Sequence, residues 1–359
     1  MGTEKHMGKG FKIFLLLFAI IILVFMKEDN QQKFVFLFNN ITSKEIDLQL
    51  DREYLGESLN FIDATLVKWE NNTISFLNED GSESWSKKFE FNDPQIIYGE
   101  KYLYIMDKLT GDIYQLNNKG DTTSKLQLDN PVLNIKESYN NLIIHLNIDD
   151  NEGLEFIDTK GNKLGNLTVG ESILTYSLNI DSSKYGVSTI SIKDSNIISK
   201  LVVNTIGGEQ EYVIEIPNEI IMATEFNQNQ ILVITDLSIS LVDKGEIKWS
   251  KRYPVIKDGF IYDNKIYLLY GDNLEIIDLK GETESKTTFG TEYERIQVIG
   301  NYIALYGDRD LLILQNDKEI LKYRTEEDLI KITGNNSYIA LHYLNKLEIH
   351  RIITKDKIK

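Results

Sequence analysis

The sequence predicts an all-β fold, a β-propeller of eight four-stranded blades, preceded by one N-terminal transmembrane helix. Three observations predict it. A glycine recurs at positions 81, 120, 161, 208, 245 and 281, at spacings of 39, 41, 47, 37 and 36 residues. Leu-Tyr-Gly-Asp stands at 269–272 and again at 305–308, 36 residues on. One apolar block, Ile13–Met26, lies near the start of the chain. A period of roughly 40 residues, with four short strands in each, is the pattern of a propeller.

Residues 1–10 read as a cytoplasmic tail. The apolar block with Phe11 and Lys12 gives a span over 11–26. Fourteen residues rise about 21 Å as a helix, short of a hydrocarbon layer of roughly 30 Å, so Lys12 must snorkel to lengthen the span. The length suits a signal-peptide core, but Lys-Glu-Asp-Asn-Gln-Gln-Lys follows Met26 where a small-residue cleavage site would stand. An uncleaved signal anchor is therefore expected. Lys5, Lys9 and Lys12 against Glu4 put the N-terminus inside the cell, leaving the rest on the extracellular side of the cytoplasmic membrane. A type IV prepilin would need an acidic residue where Leu15 stands, and Met-Gly-Thr-Glu-Lys-His lacks the Ser or Thr of a myristoylation signal.

Residues 27–43 form a stem and 44–354 the propeller, with 355–359 a tail. Within each unit an apolar strand, a tight polar turn, a strongly apolar second strand, a third strand ending in Asp/Asn-x-x-Gly and a more polar fourth strand follow one another; residues 95–128 show all four. The segments are short, rich in Ile, Val, Tyr and Leu, and bounded by Gly-Asn, Asp-Asn, Asn-Asn and Lys-Gly turns. Second strands such as Ile266–Tyr270 are apolar on both faces, as a sheet between two other sheets requires. Leu-Tyr-Gly-Asp is then the end of a second strand and its turn, repeated because blades repeat. Units start near 59, 95, 132, 173, 220, 256, 295 and 329; the fourth is the least regular, and the eighth has only three strands. Ser43–Asp51 resembles the fourth strand at 123–129, so residues 44–50 are expected to complete the last blade.

Composition excludes several function classes. The net charge of −16 argues against nucleic acid as a partner, because phosphate backbones need Lys and Arg surfaces. The absence of cysteine removes disulfides, thiolate metal sites and a Cys nucleophile.

Phe76–Phe89, Ile105–Leu116 and Leu241–Tyr253 resemble quinoprotein-type (PQQ-type) propeller repeats, which carry Asp-x-x-(Thr)-Gly-x-x-x-Trp at the third-to-fourth turn; Gly81 with Trp85 and Gly245 with Trp249 match. In layout the chain is similar to an uncharacterised Gram-positive family of signal-anchored β-propeller proteins. A more distant likeness is to the propeller lipoprotein that scaffolds outer-membrane protein assembly. The first likeness implies no particular activity and the second implies a role without catalysis.

Individual residues point to no reaction. Trp85 and Trp249 sit where the repeat predicts packing between outer strands, and no cofactor is expected. His342 and His350 lie in separate strands of the eighth unit and lack a third ligand. Asn147, Asp149, Asn151 and Asp158 match positions of a calcium loop, but Glu152 stands where that loop needs glycine, so an acidic hairpin is expected instead. All four prolines, Pro94, Pro131, Pro217 and Pro254, fall at unit-to-unit connections, which with the second-to-third turns share one side of the propeller. That side also carries Asp93, Asp129, Asp149, Asp150, Asp272, Asp308, Asp310, Glu326 and Glu327. Asp149, Asp150, Asp272, Asp308 and Asp310 are the candidate partner-binding residues. The sequence thus reads as a membrane-anchored scaffold or sensor that binds a protein or glycan partner in the cell envelope. The alternative is an enzyme, a hydrolase or lyase on envelope polymers, with its site at the channel mouth.

Overall fold

The computed structural model describes residues 45–354, apart from 56–57, 63–64, 79–80, 100, 140 and 159. The expected tail, membrane span, stem and C-terminal tail at 1–10, 11–26, 27–43 and 355–359 lie outside the described residues, among which no helix is long and apolar enough to cross a membrane.

The chain begins with β1 (Ile46–Leu55). Blade 1 is β2 (Ser58–Ile62), β3 (Thr65–Glu70), β4 (Thr73–Leu77) and β5 (Glu83–Lys88). Blade 2 is β6 (Pro94–Tyr98), β7 (Leu103–Asp107), β8 (Asp112–Leu116) and β9 (Thr122–Gln127). Blade 3 is β10 (Val132–Ser138), β11 (Asn141–Ile148), β12 (Asn151–Asp158) and β13 (Lys163–Val169). Blade 4 is β14 (Ser172–Leu178), β15 (Lys184–Lys193), β16 (Asn196–Thr205) and β17 (Gln210–Pro217). Blade 5 is β18 (Ile221–Asn227), β19 (Gln230–Thr235), β20 (Ser238–Asp243) and β21 (Glu246–Arg252). Blade 6 is β22 (Ile256–Tyr262), β23 (Lys265–Tyr270), β24 (Asn273–Asp278) and β25 (Thr283–Thr288). Blade 7 is β26 (Arg295–Ile299), β27 (Tyr302–Gly307), β28 (Asp310–Gln315) and β29 (Lys318–Arg324). Blade 8 is β30 (Lys331–Gly334), β31 (Tyr338–His342) and β32 (Lys346–Thr354), with β1 as its outer strand. The fold is an eight-bladed β-propeller, and each blade's first strand begins within two residues of the start expected from the repeat.

Burial explains the apolar second strands. Every residue of β7 is buried. Leu103 and Ile105 pack towards blade 1 with Val67, Ile74 and Phe76. Tyr104 and Met106 pack towards blade 3 with Ile135, Leu142 and Ile144. The core is thus a series of layers between blades. Outer strands have only one such face, and β9 and β17 alternate accordingly.

The third-to-fourth turns show why the glycine recurs. In blade 6, Asp278 Oδ1 accepts from Lys280 N at 2.9 Å and Glu282 N at 2.8 Å, while Gly281 turns the chain at φ +89°. Asp158 repeats the arrangement in blade 3, accepting from Lys160 N and Asn162 N. Blade 7 substitutes the two-residue turn Asn316-Asp317, both at positive φ.

Strand β1 closes the ring. It runs antiparallel to β32, from Ile46 opposite Thr354 to Leu55 opposite Lys346, with a bulge between Leu50 and Arg52. The strand thus extends past residue 50. Ile46 and Leu48 enter the layer between blades 7 and 8. Leu59 and Leu66 of blade 1 meet Ala340, Leu347 and Ile349 of blade 8 across the seam.

Candidate functional site

Strand alternation gives the ring two faces. The first-to-second and third-to-fourth turns share one, here the tight-turn face. The second-to-third turns and blade-to-blade connections share the other, the proline face: Pro131 and Pro254 lie in connections, Pro94 opens β6 and Pro217 ends β17.

The five candidate aspartates all lie on the proline face but do not converge. Asp149 and Asp150 are the exposed β11–β12 turn of blade 3. Asp272 lies in the β23–β24 turn of blade 6, where its Oδ1 accepts from Asn273 Nδ2 at 3.0 Å. Asp308 follows β27 in blade 7, and Asp310 opens β28, with its carboxylate 3.5 Å from Arg324 Nη1. Arg309, between them, pairs with Asp328 at 2.7 Å. The calcium-loop positions are dispersed: Asn147 opposes Glu152 in the hairpin ladder, while Asp158 holds a turn on the tight-turn face. The two histidines of blade 8 also part, His342 Nε2 sharing a hydrogen bond with Thr333 Oγ1 at 2.9 Å and His350 Nε2 with Glu348 Oε2 at 3.0 Å. Among the described residues no three His, Asp or Glu side chains are grouped to hold a metal ion.

A cavity of about 460 Å³ opens along the channel between blades 3 and 6, lined among others by Lys136, Ser177, Glu225, Phe226 and Phe260. Its polar groups bind neighbouring blades. Lys136 Nζ donates to Tyr176 O at 3.1 Å, and Glu225 Oε2 accepts from Ile261 N at 3.0 Å. One blade on, Asp258 Oδ2 accepts from Ile296 N at 3.1 Å. Burial raises the pKa of both carboxyls, only partly offset by these N–H donors and by Lys136 or Arg295.

A second feature of the proline face escapes strand-pattern reading. The first strands of blades 3, 4 and 5 each open with a bulge, between Val132 and Asn134, Ile173 and Thr175, and Ile221 and Ala223. The extra residues are Leu133, Leu174 and Met222, exposed by 44%, 36% and 39%. Blade 6 has Lys257 at the same place, held by Glu292 and Glu294. In blade 4, β15 and β16 run ten residues each and overhang their neighbours, because β14 ends its pairing at Ser172 opposite Ile190 and β17 at Pro217 opposite Ile198. The overhang carries the cross-strand pair Ile192–Ile197, with Ile192 78% exposed. This length accounts for the wide spacing that made the fourth unit irregular. The sequence signal was there in the doublets Val132-Leu133, Ile173-Leu174 and Ile221-Met222, which strict alternation cannot place on one face.

Residues 38–352 match a family described as a family of unknown function, DUF5711. The chain belongs to that family. No curated protein matches this DUF5711 member. Among solved structures it is similar to BamB from Moraxella catarrhalis, at 13% identity and a TM-score of 0.53, covering 85% of this chain and 100% of that one. It is also similar to Sqt1 from Saccharomyces cerevisiae, at 8% identity and a TM-score of 0.58, covering 88% of this chain and 100% of that one. At these identities the likeness is one of fold.

Proposed function

We propose that this DUF5711 protein is a membrane-anchored, extracytoplasmic propeller that acts as a binding scaffold or sensor in the cell envelope, holding a protein or glycan partner on its proline face. The observation that carries the reading is the direction of β1. Ile46 enters blade 8 opposite Thr354, at the tight-turn end of β32. An anchor over 11–26 then approaches from the tight-turn face, and the proline face with Asp149, Asp150, Asp272, Asp308 and Asp310 points away from the membrane. The channel carboxylates meanwhile tie blade to blade.

The test is cross-linking in intact cells, comparing the native chain with one carrying all five aspartates as asparagine. A discrete partner captured by the native chain and lost from the variant, with thermal stability unchanged, supports the reading; equal capture overturns it. A reporter fused after Lys359 should be active only when exported, and cytoplasmic activity would overturn the placement. One observation favours the enzyme reading: Glu225, its pKa raised by burial, lines the channel cavity beside Lys136. Turnover of cell-wall fragments that falls with Glu225→Gln would replace the scaffold.

A further inference from the structure

We propose that the apolar surface formed by Leu133, Leu174, Ile192, Ile197, Ile220 and Met222 docks an extended segment of a partner protein whose aliphatic side chains are flanked by Lys or Arg. The proposal rests on the scaffold reading and names its partner's chemistry and its place on the ring.

The six side chains belong to three successive blades and lie on one face. Ile192 and Ile197 face each other across the hairpin. Asn218 N donates to Ile197 O at 2.7 Å, which sets the connection carrying Ile220 against the start of β16. Met222 follows in the β18 bulge, and β18 lies beside β14, where Ser177 and Thr224 hydroxyls are 3.4 Å apart, so the Leu174 bulge adjoins it. Leu133 takes the same place one blade earlier. Single exposed aliphatic residues are ordinary on a protein surface, but a grouped apolar surface with a polar rim marks an interaction site.

The overhang suggests how the partner lies. Ser191–Lys193 of β15 pairs with β16 on one side, and among the described residues no strand pairs with its other edge. Such an edge accepts an added strand, with backbone hydrogen bonds along it and alternate side chains reaching the surface beneath. Charge decides between protein and lipid. Asp129, Asp149, Asp150 and Asp194 are exposed on the same face of blades 2 to 4, in a chain of net charge −16. This rim attracts Lys and Arg beside the docked aliphatic residues and repels an anionic bilayer.

The full chain in nanodiscs is titrated with three fluorescent peptides of about twelve residues: alternating Ile and Lys, the same with Glu for Lys, and the same with Ser for Ile. The Ile/Lys peptide should bind, and the other two should bind at least about tenfold more weakly. Ile192→Ser with Ile197→Ser, and separately Leu174→Ser with Met222→Ser, should each weaken the Ile/Lys peptide by about tenfold or more, with unchanged urea unfolding. Equal binding of the Ser/Lys peptide, or unchanged affinity in both variants, overturns the proposal. So does dimerisation of the chain abolished by the same substitutions, which would make a second copy the occupant. Binding of phosphatidylglycerol vesicles to the full chain held in nanodiscs of neutral lipid, lost in the variants, would also overturn it. In cells, partner capture that survives both substitution pairs overturns the docking site and leaves the scaffold standing. No capture by the native chain overturns the scaffold itself.

Discussion

Trp249, on the outer strand of blade 5, packs against Gly281, in the third-to-fourth turn of blade 6. A Cβ added to Gly281 would stand 2.8 Å from Trp249 Cδ2, and the indole Nε1 donates to Leu279 O of the same turn at 3.1 Å. Trp85 meets Gly120 in the same way between blades 1 and 2, with a Cβ again 2.8 Å from the ring. The repeated glycine thus serves two purposes, a turn at positive φ and a flat seat for the preceding blade's outer side chain.

The two purposes separate by substitution. Gly208 turns at φ +91° with nothing within 4 Å of an added Cβ, so Gly208→Ala adds backbone strain alone, about 1–2 kcal/mol. Gly281→Ala adds the same strain and a clash with the indole, about 2–4 kcal/mol together. Urea unfolding should show the larger midpoint shift for Gly281→Ala. Equal shifts would mean that the indole moves aside freely.

The closing strand has its own alternation. Ile46 and Leu48 are buried at 4% and 9% exposure, while Leu50, next on the same face before the bulge, is 53% exposed. Ile46→Ala or Leu48→Ala should cost about 2–4 kcal/mol. Leu50→Ala should stay within about 0.5 kcal/mol. A chain beginning at residue 55 should unfold at lower urea than one beginning at residue 30, and equal midpoints would show that ring closure by β1 contributes nothing.

The repeat was legible because local chemistry imposes it: Asp278 and Gly281 fix a turn at a recurring place in the chain, and two-sided burial makes Leu103–Met106 apolar throughout. Pairings across the ring were less legible. Nothing near Glu225 in the chain says that it accepts from Ile261 N, 36 residues on. The apolar docking surface was hidden for another reason. The doublets that carry Leu133, Leu174 and Met222 break strict alternation, but only the one-residue bulges show that these side chains turn outward. The unit starts near 132, 256 and 295 already assign the five aspartates to blades 3, 6 and 7, and they lie in second-to-third turns; that they do not converge follows from the ring.

Glu219, beside the proposed docking surface, holds its connection in place. Its Oε2 accepts from Thr235 Oγ1 and Ser238 Oγ, both at 2.6 Å, and its Oε1 from Arg252 Nη1 at 2.8 Å. The Glu219 side chain is 8% exposed but that of Arg252 is 70% exposed. Water can therefore replace the carboxylate at Arg252, whereas the two hydroxyls lose a buried acceptor. Glu219→Ala should cost about 1–3 kcal/mol and Arg252→Ala less than about 1 kcal/mol. Thermal denaturation of both variants checks this order, and its reversal would show the ion pair to dominate.

The last prediction concerns pH. Burial, with the nearby Lys331 ammonium, lowers the His342 pKa from 6.5 to about 4. Lys331 lies opposite His342 in the β30–β31 ladder. The folded state thus favours the neutral ring, which shares a hydrogen bond with Thr333 Oγ1. As pH falls below 6.5 the unfolded chain takes up the proton first, so stability present above that pH is lost towards pH 4. Between pH 7 and pH 5 the loss from this residue should be about 1–2 kcal/mol. Glu225 and Asp258 act in the opposite sense, because their raised folded pKa values make protonation on acidification favour the fold. The difference between the native chain and His342→Gln cancels those two carboxyls. Urea unfolding at pH 7, 6 and 5 should show a steeper fall for the native chain than for His342→Gln, and parallel falls would mean that His342 is protonated without cost.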